Sequence, residues 1–262
     1  LLPEEIIHEK SIDYVVMGEG EYRFEQLLQY LQDSAGMPDS IDGLAYRNNG
    51  NVIIQPVKNY IENLDVLPYP DFSDLDFQAY ASFATKYNFY IYPRRFPYAK
   101  TVTSRGCPFR CTFCGSRFIN GTRIRYHSAK NVLGEIDWLI GEYGIREIIF
   151  LDDNIIVNRR RIIDILNGLK ERKYDLVWKA ATNATYALDE ELMALMKETG
   201  CYQMNLAIES GSENSLRLMR KPLKLQKVRE VVRIAKELEF EISGGFIFGL
   251  SGEIWDDIRK TF

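Results

Sequence analysis

The chain is organised around residues 101–115, which read TVTSRGCPFRCTFCG. The stretch opens with β-branched residues typical of a strand and continues into a loop that holds three cysteines. Further strand-like runs follow at residues 147–151, 177–181, 203–207 and 242–248. Amphipathic helical stripes alternate with them, near residues 128–142, 159–170, 189–199 and 225–237. This alternation predicts βαβ units and a parallel sheet, with reactive groups on the loops after the carboxyl ends of the strands.

The first hundred residues have a different pattern. Residues 1–33 combine a helix start, an apolar strand, a glycine-containing turn and a second helix, as at the end of an α/β unit. Residues 34–100 are rich in proline and aromatic side chains, and two runs joined by Asn49-Gly50 predict a β-hairpin within a linker. We therefore expect three parts: 1–33, 34–100 and 101–262. Helical patterns at both ends also indicate a fragment of a longer protein.

Composition excludes several classes of protein. The 262 residues carry 33 basic and 37 acidic side chains, and the net charge is −4. This balance argues against nucleic-acid binding as the main activity, because that needs clustered positive charge. The longest apolar stretches are far shorter than the roughly 18 residues of a membrane span, and no signal segment opens the chain. A cytoplasmic location is the expectation.

Three cysteines, Cys107, Cys111 and Cys114, follow the first strand. Thiolates bind soft metals and iron–sulfur clusters. Their spacing lets one short loop wrap around an inorganic cube and reach three of its corners. The loop offers no thiolate for the fourth corner, so one iron of a four-iron cluster would stay open to an external ligand. An enzyme needs such an open position, and a simple electron carrier does not.

Zinc is the alternative for this loop. His127 lies thirteen positions after Cys114 and could complete a Cys₃His tetrahedron, which would make the chain a non-enzymatic zinc-binding interaction module. A disulfide is not expected in a cytoplasmic protein. Cys201 stands apart, and we predict that it is a small buried apolar residue.

The stretch from Cys107 to Cys114, with Phe113 immediately before the third cysteine, resembles the cysteine motif of the radical S-adenosylmethionine (SAM) superfamily. The resemblance covers residues 101–262 and implies a partial (β/α)₆ barrel that here lacks its last strand. It implies that the cysteines are the metal ligands of a [4Fe–4S] cluster whose fourth iron is chelated by SAM. Electron transfer would then cleave SAM to a 5′-deoxyadenosyl radical. The implied protein partner is an electron donor such as a ferredoxin or flavodoxin.

The resemblance also points to SAM contacts at the ends of the strands. A carboxylate that emerges from an apolar run, as Glu209 does, is suited to accept hydrogen bonds from an ammonium or a ribose, although it could instead cap the next helix. Asp152 replaces the glycine-rich turn common in the family, so we expect a contact through its backbone. The candidate cofactor-binding residues are Phe113, Asp152, Glu209, Ser210, Arg220, Gly245, Ile247 and Gly249. No catalytic residue is assigned beyond the cluster ligands.

Their implied roles differ. Arg220, with Lys221, is expected to pair with the methionine carboxylate, and Asn183 could face the same cavity or solvent. Strand five resembles the element of the family against which adenine packs. Ile247 would contact the adenine face, and Gly245 and Gly249 would make room for it, since glycine in a strand signals close approach by a ligand.

Residues Asp13 to Glu21 resemble the closing strand and turn of the cobalamin-binding domain that precedes many radical SAM enzymes. Any α/β strand–turn–helix could supply the same letters. The resemblance implies a Rossmann-like domain that binds cobalamin in the longer protein, and methyl transfer from methylcobalamin, or else a radical cyclisation or rearrangement. Methylthiolation would require cysteines for a second cluster, which the chain lacks. Four linker aromatics are expected to pack between domains: Tyr87, Phe89, Tyr90 and Tyr92.

Overall fold

The computed structural model of the chain describes residues 2–33, 38–77, 79–80, 92–182 and 187–262. The predicted roles of Tyr87, Phe89, Tyr90 and Asn183 concern residues outside these ranges. The chain forms two compact units. The first unit consists of Leu1–Glu62, Gly106–Pro108 and Cys114–Ile124. The second unit consists of Asn63–Arg105, Phe109–Phe113 and Arg125–Phe262.

The first unit contains a small antiparallel sheet. Its strands are β1 (Tyr14–Val16), β2 (Leu44–Asn48) and β3 (Asn51–Ile54), paired in that order. Its helices are α1 (Pro3–Ile7), α2 (Glu21–Asp33) and α3 (Ser116–Asn120). Asn49 and Gly50 both have positive φ, +49° and +81°, as a two-residue hairpin turn requires. The predicted β-hairpin is therefore confirmed. The assignment of residues 1–33 to a cobalamin-binding domain stays a prediction.

Helix α2 packs only part of its apolar surface. Leu27 is 4% exposed and joins Leu44 and Tyr46 in the core of the first unit. Phe24, Leu28 and Leu31 belong to the same sequence pattern, but between 42% and 53% of each side chain is exposed. The pattern indicated a helix correctly. It did not indicate which side of the helix the three short strands would cover.

A five-stranded sheet forms the second unit, with every neighbouring pair parallel. Its strands in chain order are β4 (Tyr98–Thr101), β7 (Glu147–Phe150), β8 (Val177–Thr182), β9 (Cys201–Glu209) and β10 (Glu241–Phe246). Their spatial order is β10-β9-β8-β7-β4. The predicted α/β class and parallel sheet are confirmed.

Helices connect these strands. They are α4 (Ala129–Tyr143), α5 (Arg159–Arg172), α6 (Glu190–Glu198), α7 (Glu213–Leu218), α8 (Leu225–Glu237) and α9 (Trp255–Thr261). The side chains of Ser128, Asn158 and Asp189 cap α4, α5 and α6 by accepting a hydrogen bond from the backbone N–H three residues later. No helix within the described ranges is long and apolar enough to cross a bilayer.

The core of the second unit lies between the sheet and these helices. Its largest buried side chains come from both layers and include Ile136, Ile148, Phe150, Ile162, Ile165 and Trp178. Cys201 belongs to this core and is 1% exposed, as predicted. The core thus fixes the strands that carry the candidate site.

The amino-terminal end of this sheet is occupied by polar packing. Glu147 is fully buried and accepts hydrogen bonds from the Tyr202 hydroxyl at 2.6 Å and from the backbone N–H groups of Arg94 and Arg95. Tyr92, expected to pack, is instead 57% exposed, and its carbonyl oxygen accepts a hydrogen bond from Lys179. A site is therefore expected at the carboxyl ends of the strands.

The first strand differs from its predicted bounds of 101–105. It leaves the sheet at Thr101, because the backbone N–H of Thr103 donates to the Asp152 side chain rather than to a neighbouring strand. The next two residues form β5 (Ser104–Arg105), which pairs antiparallel with β6 (Arg125–Tyr126) in a separate two-stranded sheet. The cysteine loop begins at the end of β5.

Candidate active site

The middle of the cysteine loop is attached to the end of helix α7. The Thr112 N–H donates to the Met219 carbonyl oxygen at 2.9 Å. The Cys111 Sγ lies 3.9 Å from the carbonyl oxygen of Arg220, and Cys111 is 8% exposed. The neighbouring Phe113 is 40% exposed. Sequence reasoning did not find this attachment, because the two segments are more than a hundred residues apart.

The two ends of the loop belong to the first unit. Gly106 has a φ of +93°, and a Cβ at this position would lie 2.3 Å from the Arg123 carbonyl oxygen. Only glycine accepts both the conformation and the close approach. The Cys107 N–H then donates to the Gly121 carbonyl oxygen at 3.4 Å. Cys107 and Cys114 are each partly exposed, so both thiols are accessible.

The four cysteines are present as thiols. Throughout the described ranges, no three histidine, cysteine or acidic side chains are arranged to hold a single metal ion. His127 instead points its Nδ1 at Asp65 Oδ1, 3.5 Å away. A zinc site needs four donors at about 2.0–2.3 Å from one ion, and the structure does not form this Cys₃His site. A cube binds thiolates at separate corners, so its ligands stand further apart than those of one ion.

Glu209, at the end of β9, has a strained backbone. Its φ is +67°. The Ser210 N–H donates to the Ile208 carbonyl oxygen at 2.9 Å, which makes Glu209 the central residue of a three-residue turn. A positive φ inside such a three-residue turn is rare and costs free energy. The Glu209 carbonyl oxygen accepts a hydrogen bond from Ile247 N–H at 2.8 Å, which joins this turn to the end of β10. Strain of this kind is found disproportionately at ligand sites.

The Glu209 side chain forms a buried ion pair. Its Oε1 lies 3.2 Å from Lys221 Nζ, and both side chains are 10% exposed. The alternative role of Glu209 as a helix cap is wrong, because Ser212 caps α7 by accepting hydrogen bonds from Asn214 and Ser215 N–H. Lys221, which the resemblance predicts to meet a ligand carboxylate, pairs with Glu209, and the sequence contains no signal for this pairing.

The candidate residues Ser210 and Arg220 differ in burial. Ser210 is fully buried, and its hydroxyl lies 3.0 Å from Thr261 Oγ1 and accepts a hydrogen bond from Ser212 N–H. Arg220 is exposed and follows α7 with a φ of +54°, which is typical after a helix. The Ser210 side chain therefore supports the turn, whereas the Arg220 side chain remains accessible.

The end of β10 provides open space. A Cβ placed on Gly245 or Gly249 would meet no atom within 4 Å, and Ile247 between them is half-buried. Glu253 holds the following loop: its carboxylate accepts hydrogen bonds from the Gly249 N–H at 2.7 Å and the Ser215 hydroxyl at 2.8 Å. The Ser215 bond holds the pKa of Glu253 below its usual value. Sequence reasoning missed Glu253, although it lies in the glycine-containing loop that follows β10.

Asp152 turns its side chain into the protein. It is 1% exposed, and its carboxylate accepts hydrogen bonds from the N–H and the hydroxyl of Thr103, at 3.1 and 2.8 Å, and from the Ser104 hydroxyl. Burial raises the pKa of this carboxyl, against these hydrogen bonds. Only the backbone of Asp152 thus remains a candidate for cofactor contact.

A parallel β/α sheet whose first strand leads into a three-cysteine loop is the arrangement expected of a radical SAM enzyme. Comparison of the chain with known proteins agrees with this class. Residues 101–262 match the radical SAM superfamily, to which the chain belongs. The chain is 35% identical over 250 residues to an uncharacterized methyltransferase, PH0819, of Pyrococcus horikoshii, covering 95% of this chain and 52% of that protein. It is 30% identical over 289 residues to the cytidylyl-2-hydroxyethylphosphonate methyltransferase of Streptomyces wedmorensis, covering 99% and 53%.

A third relative is the anaerobic magnesium-protoporphyrin IX monomethyl ester cyclase of Rubrivivax gelatinosus, which is 27% identical over 267 residues and is matched by 100% of this chain and 46% of its own length. The chain thus spans about half the length of these curated relatives.

Two solved structures share the fold. The radical SAM methyltransferase TsrM from Kitasatospora setae, solved with cobalamin and a [4Fe–4S] cluster bound, matches 99% of this chain and 51% of its own with a TM-score of 0.81 and 18% identity. The cobalamin-dependent SAM radical enzyme OxsB, solved with aqua-cobalamin bound, matches 99% of this chain and 37% of its own with a TM-score of 0.77 and 21% identity. At these identities the matches establish the partial-barrel fold.

Proposed function

We propose that this chain is the radical-generating part of a cobalamin-dependent radical SAM methyltransferase. The observation that carries the proposal is the loop from Cys107 to Cys114, in the thiol form, which follows the first strand of a parallel sheet through the short strand β5, in a member of this superfamily. Three thiolates match the ligands of an iron–sulfur cluster that keeps one iron open. Cys107, Cys111 and Cys114 would hold the cluster, which in its reduced form would supply the electron for cleavage of SAM into methionine and the 5′-deoxyadenosyl radical.

The residues of the chain would bind and orient SAM. Glu209 and its partner Lys221 place a buried charge pair beside the open strand ends, where a ribose or an ammonium group finds an acceptor. Ile247 would pack on the adenine, with Gly245 and Gly249 leaving the space that their missing side chains would fill. Phe113, Ser210, Arg220 and the Asp152 backbone remain the other proposed contacts.

The role of Glu209 is tested by Glu209→Gln. The substitution keeps the size of the side chain but removes the charge that strengthens its hydrogen bonds. A hydrogen bond to a charged group contributes about 1.5–3 kcal/mol, so we expect SAM to bind about 10–100-fold more weakly. Equilibrium binding of SAM to the reconstituted protein measures this change.

Glu213→Gln is the matched control, because Glu213 is exposed and lies in the first turn of α7. It should bind SAM as the unaltered protein does. Thermal unfolding of both variants shows whether weaker SAM binding is accompanied by a loss of stability, which would come from breaking the ion pair with Lys221. Unchanged SAM binding in a folded Glu209→Gln variant would remove Glu209 from the proposed site.

Methyl transfer is the reaction we favour, because two of the most similar relatives are methyltransferases. Cobalamin, held by the longer protein, would supply the methyl group. The similarity to a cyclase over the whole chain supports a second candidate, a radical cyclisation. The substrate in both cases would be a small molecule, and the electron donor a ferredoxin or flavodoxin. A cytoplasmic location is part of the proposal, since reactive thiols persist in a reducing compartment.

The decisive experiment is anaerobic reconstitution of the full-length protein with iron and sulfide, followed by reduction in the presence of SAM and cobalamin. We expect about four irons per chain and release of 5′-deoxyadenosine. Methyl-labelled SAM distinguishes the two reactions, because label passes to cobalamin only in the methyltransferase. A protein that holds one zinc, or a colourless protein that releases no 5′-deoxyadenosine, would contradict the proposal.

A further inference from the structure

Thr103 lies two residues after Thr101, where the first strand leaves the sheet, and four positions before Cys107. All of its hydrogen-bonding groups are occupied. Its N–H and its hydroxyl donate to the Asp152 carboxylate, at 3.1 and 2.8 Å. Its carbonyl oxygen accepts hydrogen bonds from Arg161 at 2.7 Å and from the His127 N–H at 3.0 Å.

An acidic and a basic side chain, those of Asp152 and Arg161, therefore both form hydrogen bonds with Thr103. We call these three residues the clamp. Asp152 follows β7 and is 1% exposed, whereas Arg161 lies in the first turn of α5 and is 8% exposed. Arg161 also donates to the His127 carbonyl oxygen at 2.7 Å, so it holds the residue that follows β6. Buried charges are costly unless they are paired and hydrogen-bonded. Here Thr103 and Ser104, in the segment that leads into the cysteine loop, donate to the Asp152 carboxylate, and the carbonyl oxygens of Thr103 and His127 accept from Arg161.

We infer that Asp152 and Arg161 are positioning residues for the iron–sulfur cluster, acting through Thr103 and Ser104 on the start of the cysteine loop. The inference rests on the proposed function, since it concerns the cluster that the three thiolates would bind. Neither side chain touches the cluster ligands in this arrangement. Each acts by keeping β5 in one position, so that the start of the loop is already ordered before the cluster forms.

Residues that orient metal ligands from behind typically change metal affinity by about 10–100-fold when they are replaced. In the reconstituted full-length protein, we expect Asp152→Asn and Arg161→Gln each to raise the rate at which an iron chelator strips the cluster by about this factor. Asp153→Asn and Arg160→Gln are the matched controls. These residues are sequence neighbours of the clamp but are exposed, and their variants should lose iron at the unaltered rate.

Thr103→Val and Thr103→Ser provide a second pair in case a charge variant does not fold. Valine has the shape of threonine without its hydroxyl, so we expect a smaller increase in cluster loss, of about 3–10-fold. Serine keeps the hydroxyl, so the Thr103→Ser variant should lose iron at the rate of the unaltered protein. Thermal unfolding of the protein without iron shows whether a variant is folded before the cluster is added.

The outcomes distinguish a failure of the proposed function from a failure of the inference. If the unaltered protein takes up no cluster, the proposed function fails and the inference fails with it. If the unaltered protein holds a cluster and folded Asp152→Asn and Thr103→Val variants lose it no faster, the proposed function stands and the inference is overturned. Faster loss in the clamp variants, with no change in the Asp153 and Arg160 controls, supports the inference.

Discussion

Replacement of Cys107, Cys111 or Cys114 by alanine is expected to abolish the bound cluster and SAM cleavage together. Each thiolate would hold a different corner of the cube, so two cannot substitute for three. We expect iron content after anaerobic reconstitution to fall from about four atoms per chain to nearly zero, and 5′-deoxyadenosine to fall below detection. Iron and sulfide analysis and chromatography of the products measure both effects.

Cys201→Ala is the control for this series. Cys201 is buried in the core of the second unit, and burial raises the pKa of its thiol, so it is an inert side chain. Its variant should keep the full iron content and lose about 1 kcal/mol of stability to the small cavity. A single loop variant that retains a four-iron cluster and normal turnover would refute the assignment of that cysteine as a ligand.

Gly106→Ala is expected to prevent the cysteine loop from closing. The positive φ of Gly106 costs other residues roughly 1–2 kcal/mol. The added methyl group would also overlap the Arg123 carbonyl oxygen, which belongs to the backbone and cannot rotate away. We therefore expect a lower free energy of unfolding and a large loss of iron uptake, because Cys107 follows directly. Thermal unfolding and iron analysis after reconstitution measure the two effects.

Gly141→Ala tests whether any added methyl group would do the same. Gly141 is exposed in helix α4, and a Cβ there meets no atom within 4 Å. Alanine favours a helix over glycine by about 0.5–1 kcal/mol, so this variant should be slightly more stable and bind iron normally. Normal cluster assembly in Gly106→Ala would show that the loop tolerates a different path.

The order and type of the main elements could be predicted because they depend on local periodicity. The alternation of β-branched runs and helical stripes in residues 101–262 indicated parallel strands, and helix α8 has the predicted bounds of 225–237. The hairpin at Asn49-Gly50 was predictable for the same reason, since two adjacent residues select the turn. The bounds of the first strand were less predictable, because Asp152, far along the chain, captures the Thr103 N–H.

The candidate site divides in the same way. The three cysteines could be recognised because their spacing is a property of one short loop. Glu209 could be selected from its place at a strand end, but its strained turn and its pairing with Lys221 could not. The opposite fates of Asp152 and Asp153, or of Arg160 and Arg161, were equally hidden, because neighbours of the same type differ only in the face that the fold buries.

By itself, then, the sequence determined which chemistry the chain can carry and which elements it forms, because covalent spacing sets both the reach of three thiols within a loop and the face of each helix or strand. The tertiary structure alone decided which charged groups are buried and what they hold. Such contacts join segments about fifty residues apart, as Asp152 and Arg161 do at Thr103. Their free energy arises only when the sheet brings these segments together and excludes water from them.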